Sequence, residues 1–298
     1  MNNKYLSVYS LIITLLFSGL LFTANSSSDF ADSLRTNVHS FSIFEKSFVF
    51  ADETIPTDNF DVAERLDREV ITNTFYHTNT MLCLKRAPRY LPDIERILAE
   101  MNMPDDLKYV AVAESALSNA SSPAGAKGIW QIMEGTARDY GLEVNSEVDE
   151  RYDLEKSTRL ACDFFKKGKD RFGTWSAAAA AYNMGAARLD REFSDQRAKN
   201  FYELNTNSET SRYFFRVVAA KEIMEHPETY GYYVAPQHKY SPLDNFVITT
   251  VDTTIPNLGD FAVANGTNYR MLKVFNPWLM SNSLTVRNGK IYQIKIPK

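Results

Sequence analysis

The sequence holds little of what many catalytic and binding chemistries use. Two cysteines, four histidines and three tryptophans occur in 298 residues. His39, His77, His226 and His238 are scattered without evident partners, so the Cys/His spacing of a metal site is absent and no metal ion or cofactor is called for. A serine triad fits poorly, because Ser115 lacks the glycine-flanked elbow of such nucleophiles. No concentrated Lys/Arg run occurs, and the formal charge of −4 with a pI near 5.7 argues against a nucleic-acid partner.

Long apolar runs are also missing, with one exception. Lys4 precedes "LIITLLFSGLLFTA", Leu11 to Ala24, followed by polar "NSSSD". One positive charge, a short apolar stretch and small residues at its end describe a secretory signal peptide over residues 1–25. The run is short for a membrane span of about 20 residues, although an uncleaved anchor, and with it membrane association, stays open. No cysteine follows, so there is no lipid-attachment signal. The chain is expected to be exported to the periplasm. Export gives Cys83 and Cys162 a setting in which a disulfide would persist. Both sit among apolar residues in helix-like stretches, which favours two buried thiols.

What is present is ample carbon: 44% of residues are hydrophobic and 23% charged, a globular balance. Residues 26–60 are polar with weak periodicity and are expected to form a flexible leader. Residues 61–235 are mostly helical in pattern. "YLPDIERILAEM" places Leu91, Ile94, Ile97, Leu98 and Met101 at helical spacing. "MPDDLKYVAVAESAL" opens with Pro104, Asp105 and Asp106, residue types suited to a first helical turn. "DLEKSTRLACDFFKKGKDRFG" and "TSRYFFRVVAAKEIMEH" read as amphipathic helices. Ala177 to Ala181 predict a tightly packed central helix that stops at Gly185. A polar, Pro-containing linker covers 236–245. Residues 246–298 then read strand, helix, helix, strand, a separate βααβ module.

One residue breaks the helical pattern. Leu107, Val110, Ala111 and Glu114 share a face at i, i+3, i+4 and i+7, and Leu117 extends it. Glu114 therefore lies on an apolar stripe, where a carboxylate is costly to ionise. An arginine partner across the core, or escape to solvent at the helix end, accounts for this at least as well as catalysis does. The catalytic reading is a general acid with a raised pKa, as in glycoside hydrolysis. That chemistry usually needs a second carboxylate, and Glu134, Asp139 and Glu143 all lack a comparable apolar frame. Within this chemistry the gap favours a substrate-assisted route through a sugar acetamido group. "GIWQIM" adds Gln131 and Trp130, each individually ambiguous between sugar binding and ordinary packing.

Taken in order, "ESALSN", "SPAGAKGIWQIMEGTA", "DLEKSTRLACDFF", "AAYNMG" and "TSRYFFRVVAAKEI" resemble the soluble lytic transglycosylase domain, over roughly residues 85–235. The resemblance implies a mostly α, lysozyme-like catalytic domain of the α+β superfamily. It implies cleavage of the MurNAc–GlcNAc β-1,4 bond of peptidoglycan glycan strands, with a 1,6-anhydromuramic acid product. By motif, Glu114 matches the catalytic acid and base, and Ser115, Gln131, Met133, Tyr182, Asn183 and Tyr213 match substrate-binding or cleft positions. Glu134, Ile129 and Met184 depart from the family's usual residues without removing a catalytic group. Residues 246–298 resemble a LysM module that binds GlcNAc-containing glycans, although "TTIPN" replaces the Gly-Asp turn expected after its first strand. A hydrolytic muramidase or a non-catalytic wall-binding protein is the alternative on the same scaffold.

Overall fold

A computed structural model describes residues 43, 46–287 and 289–298. The expected signal peptide, most of the expected leader and His39 lie outside these residues. The element order begins with a hairpin, β1 (Val49–Phe50) and β2 (Glu53–Thr54). Helices α1 (Phe60–Phe75), α2 (His77–Glu100), α3 (Lys108–Ser115), α4 (Glu134–Asp139), α5 (Leu154–Phe172), α6 (Trp175–Met184), α7 (Ala186–Gln196) and α8 (Ser208–Glu225) follow. The chain ends in β3 (Phe246–Val251), α9 (Leu258–Ala264), α10 (Tyr269–Phe275) and β4 (Tyr292–Pro297).

Helix α8 is the centre of the helical domain and packs against α1, α3 and α6. Its buried residues, including Tyr213, Phe214, Phe215, Val217, Val218 and Ala219, surround the axis, as expected for a helix enclosed by others rather than an amphipathic surface helix. Asn207 caps its N-terminus by accepting from the Thr210 N–H. Helix α6 carries Ala177 to Ala181, all at most 1% exposed. Its lack of bulk lets α5 approach so closely that a Cβ on Gly168 would lie 3.0 Å from Ala178 Cβ. Thr174 caps the start of α6, and Gly185 ends it at φ 86°.

Helix α2 runs well upstream of its expected start near Tyr90 and passes through Pro88 and Pro92. The two prolines are four residues apart, so the two missing N–H groups share one face, and Ile94, Ile97 and Leu98 keep the opposite side buried. Both thiols are free and buried. Burial pushes Cys83 up to about 11 and Cys162 up to about 12.

The flexible leader expected up to residue 60 is corrected over its last third. Phe48, Phe50 and Ile55 are at most 4% exposed, and Phe50 meets Phe214 edge-on at 5.3 Å. The turn residues Ala51 and Asp52 both have positive φ, the geometry of a tight hairpin turn. Glu53 accepts the Trp175 N–H at 2.7 Å and the Ser176 N–H at 3.3 Å, and pairs with Lys169 at 2.6 Å. The hairpin thus places a carboxylate at the positive end of α6. The apolar run behind it, Phe48 to Ala51, is only four residues long and sits among polar neighbours in the sequence.

Strands β3 and β4 pair antiparallel from Phe246↔Pro297 to Val251↔Tyr292, with α9 and α10 between them in sequence, matching the expected βααβ order. The segment expected to be a linker is pinned to α2. Lys85 accepts from the Tyr240 N–H at 2.8 Å through its carbonyl, and Arg89 Nε donates to the Ser241 carbonyl at 2.9 Å.

Candidate active site

Helix α3 ends abruptly. Ala116 and Leu117 are both left-handed, at φ 51° and 55°, and the Ala116 N–H closes onto the Val112 carbonyl. Leu107, Val110, Ala111 and Leu117 are fully buried, so the stripe expected from spacing holds the helix down. Glu114 follows that stripe to the last turn, where it reaches the wall of a cavity of about 420 Å³. The cavity is also lined by Glu69, Asn73 and Tyr76 of α1 and its end, and by Arg212 and Arg216 of α8.

Tyr213 Oη donates to Glu114 Oε1 at 2.6 Å. Among the described residues no cation lies within ion-pairing distance of Glu114, so the arginine partner considered from sequence is not what holds it. Surrounding carbon raises its pKa from 4.5 to about 7, against the lowering effects of the Tyr213 hydrogen bond and the Arg216 charge; Glu209 adds a smaller upward push. Burial and the neighbouring Glu114 push both Tyr213 and Tyr182 well above their ordinary value, so both hydroxyls keep their protons at neutral pH.

The other motif residues divide. Ser115 is buried; its Oγ donates to the Ala111 carbonyl at 3.2 Å and accepts the Ser118 N–H at 3.3 Å, which knits the helix end. Tyr182 stacks on Phe165 at 4.9 Å and donates to the Trp130 carbonyl at 2.6 Å. Gln131 stands at φ 49°, and its Nε2 donates to the Ala120 and Gly128 carbonyls at 3.1 and 2.8 Å. Its amide hydrogens therefore close the loop on itself. Asn183 Oδ1 accepts from Thr210 Oγ1 at 3.2 Å, and Met133 is 46% exposed. Glu114 and Tyr213 thus meet directly, and Ser115 lines the same cavity as Glu114. Tyr182 and Gln131 brace the neighbouring loop, and no hydrogen bond links Met133 or Asn183 to Glu114 among the described residues.

Glu69, Arg212 and Arg216 escaped the sequence reading. Glu69 is buried and paired with Arg212 Nε at 2.5 Å, across 143 residues, a separation that hides it from local patterns. The i,i+4 pair Arg212 and Arg216 flanking Tyr213 was the visible signal. Because Glu69 is held by Arg212, Glu114 is the one lining carboxylate without a cation among the described residues. Glu134 faces solvent and pairs with Arg138 at 2.7 Å. A lone carboxyl poised near pH 7, at a cavity wall with a donor on one oxygen, can give a proton and then take one.

Two family models match the chain. Residues 94–205 match the family described as "Transglycosylase SLT domain", and residues 248–298 match "Soluble lytic transglycosylase C-terminal LysM-like domain". The chain carries an SLT domain followed by a LysM-like domain. The membrane-bound lytic murein transglycosylase D of Escherichia coli (strain K12) is 27% identical over 247 residues, covering 81% of this chain and 52% of that protein. A putative tributyltin chloride resistance protein of Alteromonas sp. (strain M-1) is 33% identical over 116 residues, covering 38% of this chain and 56% of that protein. This chain thus spans about half the length of the curated relatives it matches. Among solved structures, the 70 kDa soluble lytic transglycosylase of Escherichia coli aligns with a TM-score of 0.40 and 24% identity, covering 47% of this chain and 24% of that one. The residues matched to the SLT domain lie in the mostly helical part of the fold, and the LysM-like domain supplies the β3–β4 sheet.

Proposed function

We propose that this chain is a peptidoglycan lytic transglycosylase, acting on the MurNAc–GlcNAc β-1,4 bond. The observation that supports this most strongly is Glu114: a single carboxyl held near neutrality, with neither a paired cation nor a free second carboxylate on the cavity wall among the described residues. The matched SLT domain, and a relative named as a lytic murein transglycosylase, supply the substrate class. In this reading Glu114 protonates the glycosidic oxygen as the bond to the anomeric carbon breaks. The substrate's acetamido carbonyl donates an electron pair to that carbon. Glu114, now a carboxylate, removes the proton of the muramic C6 hydroxyl, whose oxygen displaces the acetamido oxygen and closes the 1,6-anhydro ring. Tyr213 holds Glu114, while Ser115, Gln131, Met133, Tyr182 and Asn183 shape the surrounding cleft. The LysM-like domain binds glycan strands, and the chain works in the cell envelope after export. No helix among those residues is long and apolar enough to cross a membrane.

Digestion of purified sacculi followed by mass spectrometry tests the reading. Products one water lighter than those of a hydrolase support it. Reducing-end products would instead make the protein a muramidase, and binding without release would make it a wall-binding protein. The Glu114→Gln variant is expected to release nothing.

A further inference from the structure

Residues 143–150 belong in sequence to the SLT domain, yet they form part of the LysM-like domain's structure. Val148 is 1% exposed and sits in that domain's core with Leu258, Leu272, Leu279, Leu284 and Ile294. It bridges Leu279 in antiparallel fashion. On either side of it, the Met280 N–H donates to the Glu147 carbonyl at 2.7 Å, and the Asp149 N–H donates to the Trp278 carbonyl at 2.9 Å. The Glu147 carboxylate accepts Ser283 Oγ at 2.6 Å and the Thr285 N–H at 2.9 Å. Glu143 accepts Tyr292 Oη at 3.0 Å and pairs with Lys290. The core of the C-terminal domain is therefore completed by a residue of the SLT domain.

The side chain of Asp149 acts in the opposite direction. It binds Arg151 through Nε and Nη2, both at 2.8 Å, and the two residues are 2% and 1% exposed. Arg151 Nη1 then donates to the Gly125 carbonyl at 3.0 Å and the Ile132 carbonyl at 3.3 Å, the two ends of one loop. Between them, Gly128 presses on the Arg151 backbone so closely that a Cβ there would lie 2.0 Å from the Arg151 carbonyl oxygen. This loop presents Gln131, and its Trp130 carbonyl receives the Tyr182 hydroxyl. A buried ion pair is seldom the most stabilising solution for a core, but the planar guanidinium fork fixes direction and distance. Here it fixes the loop.

We propose that the LysM-like domain is a structural part of the cleft as well as an appended module. It holds residues 147–149, and through Asp149 it sets Arg151, a positioning residue for the loop of Trp130 and Gln131. The consequence for turnover rests on the proposed activity; the consequence for the loop does not.

The test uses the full chain with Glu147→Ala, which lies outside the cleft, and Arg151→Lys, which keeps the charge and loses the fork. Hydrogen exchange is followed at residues 120–132 and at β3 and β4, alongside kcat and KM on short soluble glycan strands. In both variants the loop amides are expected to exchange roughly tenfold faster, the scale of one lost charge-assisted hydrogen bond. In Glu147→Ala, kcat is expected to fall with KM little changed. Faster exchange at β3 and β4 in Glu147→Ala with the loop unchanged would overturn the proposal, as would an unchanged kcat in an active protein. If wild type cleaves no glycan, the proposed activity fails, and the exchange comparison still decides this proposal.

Discussion

Tyr213 Oη donates a 2.6 Å hydrogen bond to Glu114 Oε1, joining residues 99 positions apart. The bond defines the electrostatic balance of the site. Surrounding carbon favours the protonated acid, and the Tyr213 hydroxyl and Arg216 favour the carboxylate; the result is a group near 7. At neutral pH both forms are populated, which a residue that must donate and then accept a proton requires.

Removing that donor moves the balance one way. In Tyr213→Phe the carboxylate loses a hydrogen bond that favours its charged form, so the Glu114 pKa rises above about 7. The protonated acid then persists to higher pH, and the alkaline limb of the pH–rate profile is expected to shift upward. Rates of product release from sacculi between pH 5 and 9 check this, and a limb that stays put or moves down would contradict the assignment.

The same desolvation carries a stability consequence. The folded pKa of Glu114 is about 7 against 4.5 ordinarily, so between those values the folded state holds a proton that the unfolded state has released. Folding is penalised increasingly as pH rises through that window, and fully above it, by roughly 3 kcal/mol. Glu114→Gln removes the charge and keeps an acceptor for Tyr213. The variant is expected to exceed wild type in stability at pH 8 and to match it near pH 4.5, as read by urea denaturation at the two pH values.

Local spacing carried the apolar stripe of α3, the alanine helix and its Gly185 stop, because each is written in residues a few positions apart. It placed Glu114 on the stripe, and it could not choose between an ion pair and a catalytic acid, because the deciding neighbour, Tyr213, comes from another helix. The hairpin around Glu53 was hidden in the same way. Its apolar run, Phe48 to Ala51, is only four residues long, and its partners at Trp175 and Ser176 are more than a hundred residues away. Gln131 shows a subtler limit: a polar residue in an apolar run invites a ligand, and its amide hydrogens turn out to close its own loop. Val148 shows another, since nothing nearby in sequence says that it completes the core of a different domain.

The hairpin's contribution is measurable at Glu53. Glu53→Ala leaves the first N–H groups of α6 without their acceptor and frees Lys169. A loss of about 1–3 kcal/mol is expected, the range for removing a charge-assisted capping partner. Urea midpoints would check it, and a change within error would mean the hairpin does not hold the helix end.

Both cysteines should be inert in the folded chain. Burial raises Cys83 to about 11 and Cys162 to about 12, leaving negligible thiolate at pH 8. An aromatic disulfide reagent is expected to label neither thiol in native protein within minutes and both after unfolding in urea. Fast native labelling would show that α2 or α5 opens readily.

Two glycines of one loop separate backbone strain from steric contact. Gly125 and Gly128 both have positive φ, at 90° and 80°, yet a Cβ on Gly125 meets nothing within 4 Å while one on Gly128 meets the Arg151 carbonyl oxygen at 2.0 Å. Gly125→Ala should therefore carry the left-handed penalty alone, about 1–2 kcal/mol. Gly128→Ala carries that penalty and must also push Arg151 and the loop apart, which disturbs the fork onto Gly125 and Ile132 and the Tyr182 contact at Trp130. Its destabilisation is expected to be at least about twice as large, with a matching loss of turnover that Gly125→Ala does not show. Urea denaturation and sacculus digestion of the two variants side by side decide the matter: equal effects would mean that the loop's grip on Arg151 contributes nothing beyond its backbone angles.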